Sequence, residues 1–170
     1  MNITCPFRHV VTDVDGVLTD GSFHYSPDGK THKVFGPHDS DGVKIFRRLG
    51  IAVYAISADK RGFPITLARM NDMNVPIEYV TENNRYRFVA DKFVLGDTCF
   101  IGDGIFDAAL LADCSFSFSP SNAPDFVRQY AKHNCKARGG NGVLLEAALY
   151  TISTWFPNEL DALLKDLRLL

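Results

Sequence analysis

An α/β fold with a Rossmann-like, doubly wound parallel sheet is predicted by three features of the chain. Short apolar runs recur along its 170 residues, stretches of helical period separate them, and acidic or hydroxyl residues close several of the runs. Alternating strands and helices are the order of such a sheet, whose ligands bind beyond the carboxyl ends of its strands. At 170 residues, 46% hydrophobic and 22% charged, the composition is ordinary for a globular protein and the length suffices for one sizeable core, so residues 1–170 are expected to form a single domain.

The strand candidates are "RHVVTDV" (8–14), "IAVYAIS" (51–57), "PIEYV" (76–80), "TCFIGD" (98–103) and "CSFSF" (114–118), which have the length and residue types of strands. After the first of them, "SDGVKIFRRLG" (40–50) sets Val43, Ile45, Phe46 and Leu49 at helical spacing and ends on Gly50. Further helices are expected over 63–73, 84–93, 106–112 and 122–131, the last with Asn122 as its cap. One segment departs from the alternation. In "GSFHYSPDGKTHKVF" a Pro-Asp-Gly turn joins two alternating arms, which predicts a β-hairpin flap over 21–36. The C-terminal tail, 137–170, is strongly apolar and helical from residue 142, breaks at Pro157, and offers its leucines, Trp155 and Phe156 for core or subunit packing.

A net charge of −2 with scattered basic residues gives no electrostatic case for a nucleic-acid or membrane partner. No apolar stretch reaches the roughly 20 residues that span a bilayer. A small anionic substrate needs only local positive charge and stays open. Cys5, Cys99, Cys114 and Cys135 show no CxxC or metal-type pairing and no leader-like segment opens the chain, so a cytoplasmic protein with reduced thiols is expected. His9, His24, His32, His38 and His133 are not spaced as a metal cluster; of these only His38 is a candidate for the site.

"HVVTDVDGVLTDG" (9–21) places Asp13 and Asp15 at the carboxyl end of the first strand, two residues apart and so on one side of an extended segment. Like charges sharing a site repel unless a hard divalent cation neutralises them, which suggests Mg2+. A carboxylate can also attack phosphorus while its neighbour handles protons. The bland alternative for an Asp-Gly pair is a turn or helix cap. "IGDGIFDAALLA" then brings Asp103 and Asp107 to another strand end, with Gly102 and Gly104 allowing close backbone approach. Ser57 closes the second strand before a helix N-terminus, which favours anions, and Arg85 opens the helix after the third. Successive strand ends thus offer Asp/Asp, Ser, Arg and Asp/Asp.

That order resembles the haloacid dehalogenase superfamily of phosphohydrolases, over nearly the whole chain: "DVDGVLTDG" its first motif, the Ser57 region its second and "GDGIFD" its fourth. With the short hairpin, "KVFGPHDSDGVKIFRRLGI" and "ARGGNGVLLEAAL", the chain is similar to the 3-deoxy-D-manno-octulosonate 8-phosphate phosphatase family, which has no cap domain. The resemblance implies Asp13 as nucleophile and Asp15 as general acid and then base. It implies that Mg2+ is held by Asp13, the backbone carbonyl of Asp15, and Asp103, with Asp107 in support. Phosphoryl oxygens would meet Val14, Gly16, Ser57, Ala58 and the third-motif cation. It also implies a homotetramer in which the segment near Gly139, Gly140 and Gly142 reaches a neighbour's site.

The third motif normally uses lysine; here Arg85 is the best match, Arg87 is the alternative, and Lys92 lies far along the helix. Ala58 and Asp59 stand where the family usually has Gly-Arg, and His38 and Ser40 where arginine and glycine are common. The expectation is a Mg2+-dependent phosphomonoesterase for an octulosonate or nonulosonate phosphate, whose carboxylate would be read by Arg138 first, with Lys30, Lys33, His38 and Arg61 as further candidates and Gly139 and Gly140 beside the substrate. The rivals are a phosphatase for other small phosphomonoesters and a catalytically silent assembly module of the same fold.

Overall fold

The computed structural model describes residues 4–170. At its centre is β1 (His9–Asp13), whose Val10 and Val11 have no exposed surface although they face opposite sides. Burial on both faces is what a continuous apolar run requires, and only helices above and below the strand supply it. Val10 packs with α1 (Asp39–Arg48), α2 (Phe63–Asp72) and α6 (Val143–Trp155) through Phe46, Met70 and Leu144. Val11 packs on the other side with α3 (Arg85–Lys92), α4 (Ala108–Asp113) and α5 (Asp125–Arg128) through Val89, Leu110 and Val127.

The remaining strands of the sheet are β4 (Ala52–Ser57), β5 (Ile77–Tyr79), β6 (Thr98–Ile101), β7 (Phe116–Ser119) and β8 (His133–Asn134). Their order is β5-β4-β1-β6-β7-β8, and every pairing is parallel. The carboxyl ends of β5, β4, β1 and β6 therefore lie side by side, so Arg85, Ser57, Asp13 and Asp103 share one edge. The chain reverses on itself between two of those ends, as the sheet order requires for a crevice there. A separate hairpin pairs β2 (His24–Ser26) with β3 (Gly29–His32) antiparallel, with a bulge between His24 and Tyr25. It follows β1 directly and so stands at the same edge.

Three elements differ from expectation. Residues 106–112 do not form one helix: a 3-10 turn, Ile105–Asp107, precedes α4, because the Asp107 carboxylate accepts the N–H groups of Asp103 and Gly104 at 3.1 and 2.9 Å and tightens the chain there. The helix expected over 122–131 shrinks to α5, capped at Pro124, and Asn122 is used elsewhere. β8, two residues long, carries no readable periodicity. The break in the tail falls at Phe156, and Pro157 opens α7 (Pro157–Asp166) at its first position, where its missing N–H costs nothing. Trp155 and Phe156 pack on the core as anticipated. Among the described residues no helix is long and apolar enough to cross a membrane.

Candidate active site

The turn after β1 is wound so that the Val14 carbonyl accepts N–H groups from Val17, Leu18 and Thr19. Gly16 sits in it at φ +92°, where a Cβ would overlap the Asp103 carboxylate, so only glycine lets the first and fourth acidic pairs approach. Asp13, Asp103 and Asp107 each present an oxygen within 4.8 Å of the others. Burial raises the Asp13 pKa well above the usual carboxylate range, Arg85 partly opposes this, and Asp107 and Asp103 push it further up. Burial likewise lifts Asp103 to about 7, with Asp107 adding to the shift. Three hard oxygen donors with more negative charge than Arg85 alone can balance fit a divalent cation of the Mg2+ or Ca2+ kind.

Arg85 is 4% exposed and turns inward from the start of α3. Its Nη2 donates to Asp13 Oδ1 at 3.2 Å and its Nη1 to Asp107 Oδ1. Burial would lower its pKa, but Asp13 and Asp107 outweigh that and raise it, so the guanidinium stays charged. The alternatives fall away: Arg87 is exposed and pairs with Asp91, while Lys92 pairs with Glu78 and Tyr54.

Asp15 has its own cation, which sequence reasoning had assigned to the substrate. Lys33, just past β3, is buried and lies 2.8 Å from Asp15 Oδ1 and 2.8 Å from Asp59 Oδ2. Ser57 Oγ donates to Asp15 Oδ2 at 3.1 Å and accepts the Asp59 N–H at 3.2 Å. Asp59 also binds Lys30 at 2.5 Å. Burial alone would raise the Asp59 pKa, but hydrogen bonds from Lys30 and Lys33 pull it down to about 2. The two lysines are thereby occupied, and neither stands free for a substrate carboxylate.

A cavity of about 470 Å³ opens on this edge, lined among others by Asp13, Asp15, Ala58, Lys60, Arg61 and Arg85. A larger one, about 680 Å³, lies near the amino ends of the strands between Phe7, Gly50 and Trp155. Among its described lining residues only Arg8 and Glu159 are charged, so the smaller cavity is the chemically equipped one.

Other anticipated positions lie elsewhere. The Gly16 N–H donates to Thr19 Oγ1 at 3.1 Å and is used inside the turn, whereas the Val14 N–H hydrogen-bonds the Asp13 carboxylate. His38 caps α1, is exposed, and contacts Gly142 rather than the cavity. Arg138 is exposed and outside the cavity lining. Gly139 and Gly140 buttress the turn of their own chain from behind: a Cβ on Gly139 would overlap the Gly16 and Thr19 carbonyls, and the Gly140 N–H donates to Val17 O at 3.0 Å. Asn122 completes the brace, its amide donating to Gly16 O at 3.0 Å and accepting from Gly139 N–H at 2.5 Å. No local signal marks that role, because both partners are distant in sequence.

No family model matches the chain. The 3-deoxy-D-manno-octulosonate 8-phosphate phosphatase KdsC of Haemophilus influenzae is 31% identical over 144 residues, which cover 82% of this chain and 79% of the relative. The cobalt-bound form of the H. influenzae deoxy-D-mannose-octulosonate 8-phosphate phosphatase matches with a TM-score of 0.78 and 28% identity, over 88% of this chain and 90% of that one. The Moraxella catarrhalis 3-deoxy-D-manno-octulosonate 8-phosphate phosphatase, solved with a magnesium ion, a phosphate ion and a KDO molecule, has a TM-score of 0.85 over 96% of this chain and 94% of that one; at 21% identity the likeness bears on fold. The identity to KdsC over four fifths of the chain, the parallel sheet of haloacid dehalogenase type and the acidic edge agree: the chain belongs to the KdsC-like phosphatases, which are phosphoric monoester hydrolases.

Proposed function

We propose that the chain hydrolyses an acidic sugar phosphate, an octulosonate or nonulosonate phosphate, as a Mg2+-dependent enzyme working through an aspartyl-phosphate on Asp13. The observation that carries this reading is the meeting of Asp13, Asp15, Arg85 and Asp103 around one cavity. Asp13 attacks phosphorus while the bond to the sugar oxygen breaks. The electron pair leaves on that oxygen, which takes a proton from Asp15. Asp15 then takes a proton from the water that attacks the phosphoaspartate, releasing phosphate and restoring Asp13. Arg85 and the Ala58 backbone orient the phosphoryl oxygens, while the Ser57 hydroxyl holds Asp15 and the Val14 N–H holds Asp13. Asp13, Asp103 and the Asp15 backbone carbonyl, with Asp107 in support, would hold Mg2+, which would supply charge stabilisation for those oxygens.

The far carboxylate falls to Lys60 and Arg61, which line the cavity, are exposed, and form no ion pair among the described residues. A second reading, a sugar phosphate without the carboxylate, is favoured by Asp59, which neutralises Lys30 and Lys33. Phe23 and Phe106, at the open side of the cavity, are 44% and 53% exposed, which supports closure by a neighbouring copy in a homotetramer. The free cysteines fit a cytoplasmic setting.

Phosphate release separates these readings. 3-Deoxy-D-manno-octulosonate 8-phosphate or a nonulosonate 9-phosphate should be cleaved about tenfold or more faster than glucose 6-phosphate, since charge-assisted contacts to the carboxylate discriminate on about that scale. A chelator should abolish the rate and Mg2+ restore it, and light scattering on the same sample should give a tetramer. Equal rates leave only the second reading, chelator-insensitive turnover sinks the metal, and a fully active monomer sinks the shared site.

A further inference from the structure

Lys33 is an unusual residue to find buried: its side chain has no exposed surface, yet it carries a charge whose transfer out of water is costly unless every hydrogen finds an acceptor. Here each does. An ammonium has three N–H groups, and three acceptor groups surround this one: Asp15, Asp59 Oδ2 at 2.8 Å and Thr66 Oγ1 at 2.8 Å. No donor remains to hold a phosphate or a sugar carboxylate, so Lys33 acts on the protein and not on the substrate.

Its ammonium group reaches both oxygens of Asp15. Oδ2 accepts from Lys33 at 3.0 Å and from Ser57 Oγ at 3.1 Å, two donors arriving from different elements. Oδ1 lies within ion-pair distance of Lys33 at 2.8 Å, but among the described residues no hydrogen bond reaches it. The carboxyl group is thus held at both oxygens by one ammonium and at Oδ2 by Ser57 as well, on a residue that lines the cavity. A carboxyl group that must deliver a proton to a departing oxygen needs a fixed orientation, because a rotating group spends most of its time out of line. The lysine is itself anchored from behind by Asp59, which the Gly62 N–H holds at 3.1 Å.

We propose that Lys33 is a positioning residue for the proposed ester cleavage, holding the Asp15 carboxyl group in one orientation at the cavity edge so that it stays in line with the leaving oxygen of the substrate. This rests on the role given to Asp15 under Proposed function. The step it assists is the breaking of the phosphorus–oxygen bond, in which the leaving oxygen gains the electron pair and the proton comes from Asp15. A lysine that only pinned the hairpin to the sheet would serve all substrates alike. One that positions the acid matters most for a leaving group that cannot depart unprotonated.

The test compares two substrates on one set of variants: 3-deoxy-D-manno-octulosonate 8-phosphate, whose leaving group is an alkoxide, and p-nitrophenyl phosphate, whose leaving group departs as the anion. Lys33→Met should lower kcat on the sugar phosphate by about 100-fold and on the aryl phosphate by less than about tenfold, the same skew expected of Asp15→Asn. Asp59→Asn, which leaves the Lys33 to Asp15 contact in place, should keep the ratio of the two rates within about threefold of wild type. Since Lys33→Met strands two carboxylates and can fail to fold, Lys33→Met with Asp59→Asn removes one of them and should show the skew again. Equal losses on both substrates in a folded variant overturn the positioning role while leaving the phosphatase reading intact. A wild type that cleaves neither substrate overturns both.

Discussion

Asp13→Asn is expected to lower turnover by on the order of 10⁴-fold or more, because the amide keeps the shape of the side chain and loses the nucleophile. Stability should move the other way. A carboxyl group whose pKa is raised on folding favours the native state when protonated, so at neutral pH an ionised Asp13, crowded by Asp107 and Asp103, opposes folding in the absence of metal. The variant should therefore melt no lower than wild type in chelator, and the rise in Tm that Mg2+ gives the wild type should shrink. Steady-state rates and thermal melts with and without Mg2+ check both halves. Turnover near wild type would remove Asp13 from the chemistry.

Arg85→Ala should cost roughly 10²- to 10³-fold in kcat, the usual scale for losing one preorganised group at a transferring phosphoryl. It also leaves Asp13 and Asp107 without their shared partner, and breaking a buried pair typically costs about 3–5 kcal/mol, so a large drop in Tm should accompany it. Arg85→Lys keeps the charge but cannot span both carboxylates as the guanidinium fork does. It should recover part of the rate and less of the stability. Rates and melts of the two variants side by side decide this, and a fully active Arg85→Ala would return the cation's role to another residue.

The sheet was legible because strands buried on both faces read as short apolar runs, and the acidic edge because Asp13, Asp15, Asp103 and Asp107 fall where those runs stop. Arg85 could be read from its place at the opening of a helix. Lys33 could not: in an alternating hairpin arm a lysine looks like a charge for the substrate or the solvent, and its acceptors on Asp15 and Thr66 lie 18 and 33 residues away in opposite directions. Asn122 reads as a helix cap because Asn before a helical stretch usually is one, and Pro124 took that position instead. The glycines at 139 and 140 stood out by composition alone; their contact with the turn at Gly16 is a property of the closed fold.

That contact bears on how the enzyme comes into being. The Gly16 carbonyl is held by Asn122, 106 positions away in the chain, and the Gly140 N–H reaches Val17 from still further off. Closing so long a loop costs entropy that only the packed sheet can offset, and each doubling of the span adds about 0.6 kcal/mol. Chains made on the ribosome emerge from the N-terminus first. Asp13 and Asp15 precede the glycine segment in the chain, so the turn that carries them stays unbraced until that segment has emerged and docked. A chain still lacking Gly139 and Gly140 carries those carboxylates without the brace behind the turn that bears them.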